Sequence, residues 1–127
     1  MNASAPPPPA SGDLRPFIGS KDFGASKAFY AALGCQVESL GDALALVTLG
    51  ERQFLLQDYY QKDWCENSML LVPVPDADAW RAHLDAAFPD PAALGARVMG
   101  PQDQDYGRVT YLSDPAGVLW QFTEFAS

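Results

Sequence analysis

Histidine occurs once in this sequence, at His83, and cysteine twice, at Cys35 and Cys65. With one imidazole there is no histidine pair to hold a metal, no HxH motif, and no Ser-His-Asp or Cys-His grouping to activate a nucleophile. His83 lies in WRAHLDAAF, one residue from Leu84 and three from Trp80. It reads as an exposed or helix-flanking residue. Cys35 follows Leu33-Gly34 and reads as a small buried apolar side chain. Two thiols do not make a disulfide framework, and MNASAPPPPASG has neither a basic region nor an apolar segment of a secretory signal. Reduced thiols in a cytoplasmic protein are expected. No catalytic residue is nominated.

The remaining chemistry is that of amides and aromatic rings. Gln121 stands between Trp120 and Phe122 in DPAGVLWQF, as either a satisfied edge residue or the lining of a pocket. Tyr59, Tyr60 and Trp64 are interleaved with Asp58, Asp63 and Glu66 in DYYQKDWCEN. Tyr106 stands beside Asp103 and Asp105 in QDQDYG. Rings with adjacent carboxylates suit a flat or cationic organic ligand through stacking and cation–π contacts. The same Tyr and Trp cluster suits an interface or a crossover anchor equally well. Arg15 and Arg108 have no partner close in sequence; either could pair with a carboxylate or with an acid group of a ligand.

Strands and helices must hold these residues in place. LRPFIGS reads as a strand, followed by a helix in KDFGASKAFYAALG. Asp22 or Ser26 can cap that helix, Ala25, Phe29, Ala32 and Leu33 share a face, and Gly34 ends it. CQVES, ALALVTL and RQFLLQDYY follow as strands, divided by Gly41-Asp42 and Gly50-Glu51. NSMLLVPV then begins the same rhythm again. Asp76 caps a helix that buries Ala77, Trp80, Leu84 and Ala87, and Pro89 and Pro91 break it. A short strand near Ala96 to Met99, then GRVTYLSD and GVLWQF, complete the second half, with a turn at Pro115-Gly117.

Length and charge narrow the functional classes. A chain of 127 residues suits one domain. Residues 1–12, with four consecutive prolines at Pro6 to Pro9, read as a disordered tail; residues 13–127 form the domain, with modules at about 13–60 and 66–127. No apolar run approaches the roughly 20 residues of a membrane span. Sixteen acidic against eight basic residues give a formal net charge of -8, which repels a phosphate backbone. Neither nucleic acid nor membrane is an expected partner. The acidic balance favours a cationic ligand.

DFGASKAFYAALG, PQDQDYGRVTYLSDPAGVLWQF and the doubled order of elements resemble the vicinal oxygen chelate superfamily, which holds glyoxalase I, extradiol dioxygenases and the fosfomycin and bleomycin resistance proteins. The likeness runs from about Leu14 to Glu124. It implies an α+β fold of paired βαβββ modules forming a curved, barrel-like mixed sheet with outer helices. It also implies a homodimer. In the enzymes of that family, side chains from the first and last strand of each module hold a divalent metal. The matching positions here fall on Arg15 or Pro16, on Gln57, near Met69 and on Gln121. A guanidinium has no lone pair to donate, and two amides with a thioether do not match a hard divalent ion.

The resemblance therefore implies a metal-independent binder of the bleomycin-resistance type, without cofactor, that sequesters a small organic molecule. If Gln57 faces the family cleft, Leu55 and Tyr59 share its face; Gln121 does so with Leu119, while Trp120 and Phe122 pack against a helix. The expected ligand-binding set is Leu55, Gln57, Tyr59, Trp64, Tyr106, Arg108, Leu119 and Gln121. Two other classes stay open. One is a metal-dependent lyase, isomerase or dioxygenase that combines Gln57, Gln121 and Asp58 with a residue of a second subunit. The other is a partner-binding module without a small ligand.

Overall fold

Asp22 accepts a hydrogen bond from the Ala25 amide at 3.0 Å and so starts helix α1, Phe23–Leu33. The helix stops at Gly34, whose φ of 115° is a conformation that a side chain would strain. The computed structural model describes residues 5–126. Strand β1 (Phe17–Ile18) precedes this helix, and β2 (Gln36–Ser39), β3 (Leu44–Leu49) and β4 (Arg52–Gln57) follow it. A short helix α2 (Lys62–Asn67) leads to β5 (Met69–Pro73). Asp76 then caps α3 (Ala77–Ala87) by accepting from the Ala79 amide at 3.0 Å. A 3-10 turn at Pro91–Leu94 leads to β6 (Arg97–Gln104), β7 (Gly107–Ser113) and β8 (Leu119–Phe125).

The two halves have the same topology. The first four strands form a mixed sheet in the order β1-β4-β3-β2, and the last four a second in the order β5-β8-β7-β6. In each, the first strand runs parallel to the last while the other pairs are antiparallel. The fold class is α+β as expected. The sheets remain two four-stranded units and do not close into a barrel.

Several boundaries differ from expectation. β1 has only two residues, so Arg15 and Pro16 precede it. β4 ends at Gln57, which leaves Tyr59 outside the strand. β6 runs on to Gln104, well past the short strand expected near Ala96 to Met99. The expected tail over residues 1–12 falls partly on residues 1–4, which lie outside the described residues; residues 5–12 are exposed and form neither helix nor strand.

One core serves both halves. Phe29 stacks on Phe88 with centroids 4.3 Å apart, Trp80 on Phe122 at the same spacing, and Tyr30, Phe54 and Trp120 meet edge to face or tilted. On α1 the buried stripe is Ser26, Phe29, Tyr30 and Leu33, rotated from the expected one; Ala25 and Ala32 face outward. The cause is Tyr30. Its hydroxyl donates to Asp114 Oδ2 at 2.6 Å and accepts from Trp120 Nε1 at 2.9 Å, so the phenol can be buried with its polar end satisfied. Asp114 Oδ1 in turn accepts from the amides of Ala116 at 2.8 Å and Val118 at 2.9 Å. This carboxylate is fully buried, and it joins α1 to the turn before β8.

Candidate functional site

Strand alternation gives each sheet a helix-facing side and an open side. Ile18, Ala45, Val47, Phe54 and Leu56 are buried on the helix-facing side of the first sheet; Leu112, Trp120 and Phe122 are buried on that of the second. The cross-strand register then fixes the open sides. Gln57 is paired with Leu44, and Leu55 with both Leu46 and Phe17. Gln121 is paired with Leu71 and Tyr111, and Leu119 with Met69 and Ser113. Leu55, Gln57, Leu119 and Gln121 are all half-buried there. Trp120 and Phe122 lie in the core, as read from the sequence.

The open sides are unusually apolar for exposed surface. Phe17 is 48% exposed, Met69 63% and Leu71 46%. Isolated exposed apolar residues need no explanation, but these share the open sides with Leu55 and Leu119. Asp13, Arg52, Gln53, Phe54, Leu71 and Trp120 help to line a cavity of about 190 Å³ between β4 and β5, and none of the eight expected ligand-binding residues lines it. Gln53 shares the open side of Gln57, and Leu71 that of Gln121. A larger groove of about 710 Å³ lies on the helical surface, over Ala25, Ala28, Ala32, Phe88 and Leu94. Its polar side chains are Lys21 and Asp22 at the start of α1, and Asp22 is already occupied as the helix cap.

The aromatic candidates do not converge. Tyr59 and Trp64 sit together, centroids 6.0 Å apart, where α2 packs over Gly19. Trp64 joins the core and Cys65 beside it is fully buried, so this cluster anchors the crossover between the halves. Tyr106 lies in the turn between β6 and β7, 6.2 Å from the ring of Phe125. Arg108 is not short of partners. Its Nε and Nη2 donate to the two oxygens of Asp78 at 3.1 and 3.2 Å, and its Nη1 to Asp103 at 2.8 Å. Those bonds hold the Asp78 carboxyl below its ordinary range and push the Arg108 guanidinium up.

Both cysteines are free and buried, and burial pushes the Cys35 thiol up to about 12 and raises that of Cys65. His83 Nε2 lies 2.6 Å from the Leu33 carbonyl and ties α3 to the end of α1. The metal ligands implied by the resemblance do not fit. Arg15 and Pro16 offer no donor, and no group of three His, Cys, Asp or Glu among the described residues is placed to hold an ion.

Sequence reading missed Gln53, Leu71 and Tyr111 on the open sides. Alternation in RQFLLQ, MLLVP and GRVTYLS carried the signal, but only the register shows which strands are neighbours.

No family model matches the chain, and no curated protein does. Solved structures do. The bleomycin-binding protein of bleomycin-producing Streptomyces verticillus, complexed with copper(II)-bleomycin, is 21% identical with a TM-score of 0.75, over 92% of this chain and all of that one. A bleomycin-binding protein complexed with bleomycin is 18% identical with a TM-score of 0.76, over 91% and 100%. Lactoylglutathione lyase from Agrobacterium tumefaciens is 19% identical with a TM-score of 0.63, over 91% and 95%. Among the described residues, no helix is long and apolar enough to cross a membrane. The chain has the fold shared by the bleomycin-binding and glyoxalase-type proteins of the vicinal oxygen chelate superfamily.

Proposed function

We propose that this protein binds and sequesters a small organic molecule, without metal or turnover, on the open sides of its two sheets. The observation that carries the reading is a half-buried glutamine on the open side of each sheet, Gln57 across from Leu44 and Gln121 across from Leu71, at positions that the family resemblance matches to metal ligands of the enzymes. Carboxamides there supply neutral donors and acceptors for a polar ligand but weak donation to a metal. Structural neighbours in complex with bleomycin support an organic ligand, and resistance by sequestration belongs to the same proposal. NMR titration with a panel of cationic, neutral and anionic aromatic compounds tests it. Saturable shifts of the Gln57 and Gln121 side-chain NH₂ signals are expected from at least one class. Shifts confined to the helical groove, or stoichiometric Zn, Ni, Mn or Fe in protein purified without chelator, would overturn the reading.

The working form is a homodimer in this proposal. β1 and β5 are edge strands, and Leu14, Phe17, Met69 and Leu71 are exposed on or beside them. A second chain would cover these edges and deepen the shallow cavity, which is below the roughly 300 Å³ of an ordinary ligand pocket. Sedimentation at micromolar concentration should give twice the 13.7 kDa chain mass. A monomer under those conditions rules the shared cleft out.

A further inference from the structure

We propose that the ligand of these open sides is uncharged, and that its recognised groups are carboxamides or lactams carried on an apolar frame. This rests on the binding role proposed above and names its chemical class. On β1, β3, β4, β5, β7 and β8, no residue facing the open side is Asp, Glu, Lys or Arg. On the open sides of the strands, charge appears only on the far edge strands, while Asp13 and Arg52 line the cavity between β4 and β5. Glu38 lies across from Leu46 on β2, and Arg97 across from Ser113 on β6, where its guanidinium rests 3.4 Å from the Met99 sulfur.

A charged ligand laid on the central strands would lose hydration and gain no counter-charge from them, which is unfavourable for either sign. The acidic balance of the chain does not alter this. Asp22, Asp76 and Asp90 cap helices or the 3-10 turn, Asp114 is buried, and Asp78 and Asp103 hold Arg108. Those six carboxylates have structural work away from the open sides. The field of the remainder can speed the approach of a cation without holding one there.

The carboxamides, by contrast, have capacity left. Gln57 makes no side-chain hydrogen bond among the described residues, and Gln121 Nε2 has only the Met69 sulfur at 3.6 Å, a weak acceptor. Gln53 donates to Thr48 Oγ1 at 3.1 Å and keeps its carbonyl oxygen, and Tyr111 accepts from Gln104 at 2.9 Å and keeps its hydroxyl proton. A primary carboxamide meets an amide or lactam edge with one donor and one acceptor at once. Leu, Met and Phe beside it take up the carbon frame.

Three probes on one frame test the inference: naphthalene-2-carboxamide, naphthalene-2-carboxylate and 2-naphthylmethylammonium, each titrated into the full-length protein and followed at the glutamine NH₂ signals. The carboxamide should bind about tenfold or more tighter than either ion, the difference that one unpaired buried polar group makes. Its affinity should not change between low salt and about 0.5 M salt, where exposed ionic attraction is screened. Gln121→Glu should reverse the order in favour of the ammonium probe. Gln121→Leu should weaken carboxamide binding at an unchanged melting temperature. Tighter binding of either ion to the wild type, or affinity that falls with salt, overturns the charge class and leaves the binding role standing. Failure of all three probes to shift Gln57 or Gln121 overturns both.

Discussion

Replacing Asp114 with alanine should lower the melting temperature by about 10–20 °C. The fully buried carboxylate accepts from the Tyr30 hydroxyl and from the amides of Ala116 and Val118. Removing it leaves those donors without acceptors, at about 1–3 kcal/mol for each buried group left unpaired. A domain of ordinary stability has about 5–15 kcal/mol in total. Asp114→Asn should be milder, because its carbonyl can still serve the two amides while its NH₂ cannot accept from Tyr30.

The pair also predicts a pH dependence. Burial raises the Asp114 carboxyl above its ordinary range, against the hydrogen bonds that favour its charged form. A raised folded value means that the native state binds the proton more tightly than the unfolded chain does. This group's contribution is therefore full below the ordinary carboxylate value of about 4 and declines as the pH rises through the raised one. The stability of wild type relative to Asp114→Asn should shrink on going from acid to neutral pH. Urea titrations of both proteins across that window measure it, and a difference that grows with pH contradicts the assignment.

The second large effect is expected at Gly19. A Cβ built there lies 2.6 Å from the Tyr59 carbonyl oxygen, 2.8 Å from Cys65 Sγ and 2.8 Å from Trp64. The first of these contacts is backbone and cannot rotate away. Ser20 adds to the constraint, with its amide bound to Tyr59 O at 3.1 Å and its hydroxyl to Gln57 O at 2.6 Å. Gly19→Val must lift α2 from the core, at a cost at or above the usual overpacking range of about 1–3 kcal/mol. Cys65 gives a direct reading. It is fully buried now, and its labelling by a thiol reagent under native conditions should accelerate sharply in the variant while that of Cys35 changes little. Equal protection of Cys65 in both proteins would show that the close packing is relieved some other way.

The contrast between those two residues shows what the sequence discloses and what it withholds. Periodic signals were legible. The cap at Asp76, the choice of Asp22 or Ser26 for α1, the stop at Gly34, the doubled strand order and the alternation that turns Trp120 inward all depend on near neighbours in the chain. Long-range partners were not. DPAG reads as a turn, yet nothing local says that Asp114 is buried or that Tyr30 is its partner, 84 residues away. The same gap rotated the buried face of α1, and left Arg108 without the Asp78 that lies 30 residues before it. Helix α2 was missed for a different reason: six residues are too few to display a helical period. At the site, alternation placed Leu55, Gln57, Leu119 and Gln121 on common faces. The aromatic residues of the connecting segments had no such rule to place them.

The bond between Tyr30 and Asp114 also sets an order in time. The ribosome adds about 5–20 residues per second, so the 84 residues between them take about 4–17 s to make. Throughout that interval α1 has a hydroxyl that its final acceptor cannot yet reach, and Phe29 lacks the ring of Phe88 for much of it. The first module must wait, solvated and incomplete, for the last strands of the second. Although the chain is built as a repeat, its halves are not independent of one another: the first half emerges with its apolar face uncovered and gains its last partners only when the carboxylate arrives.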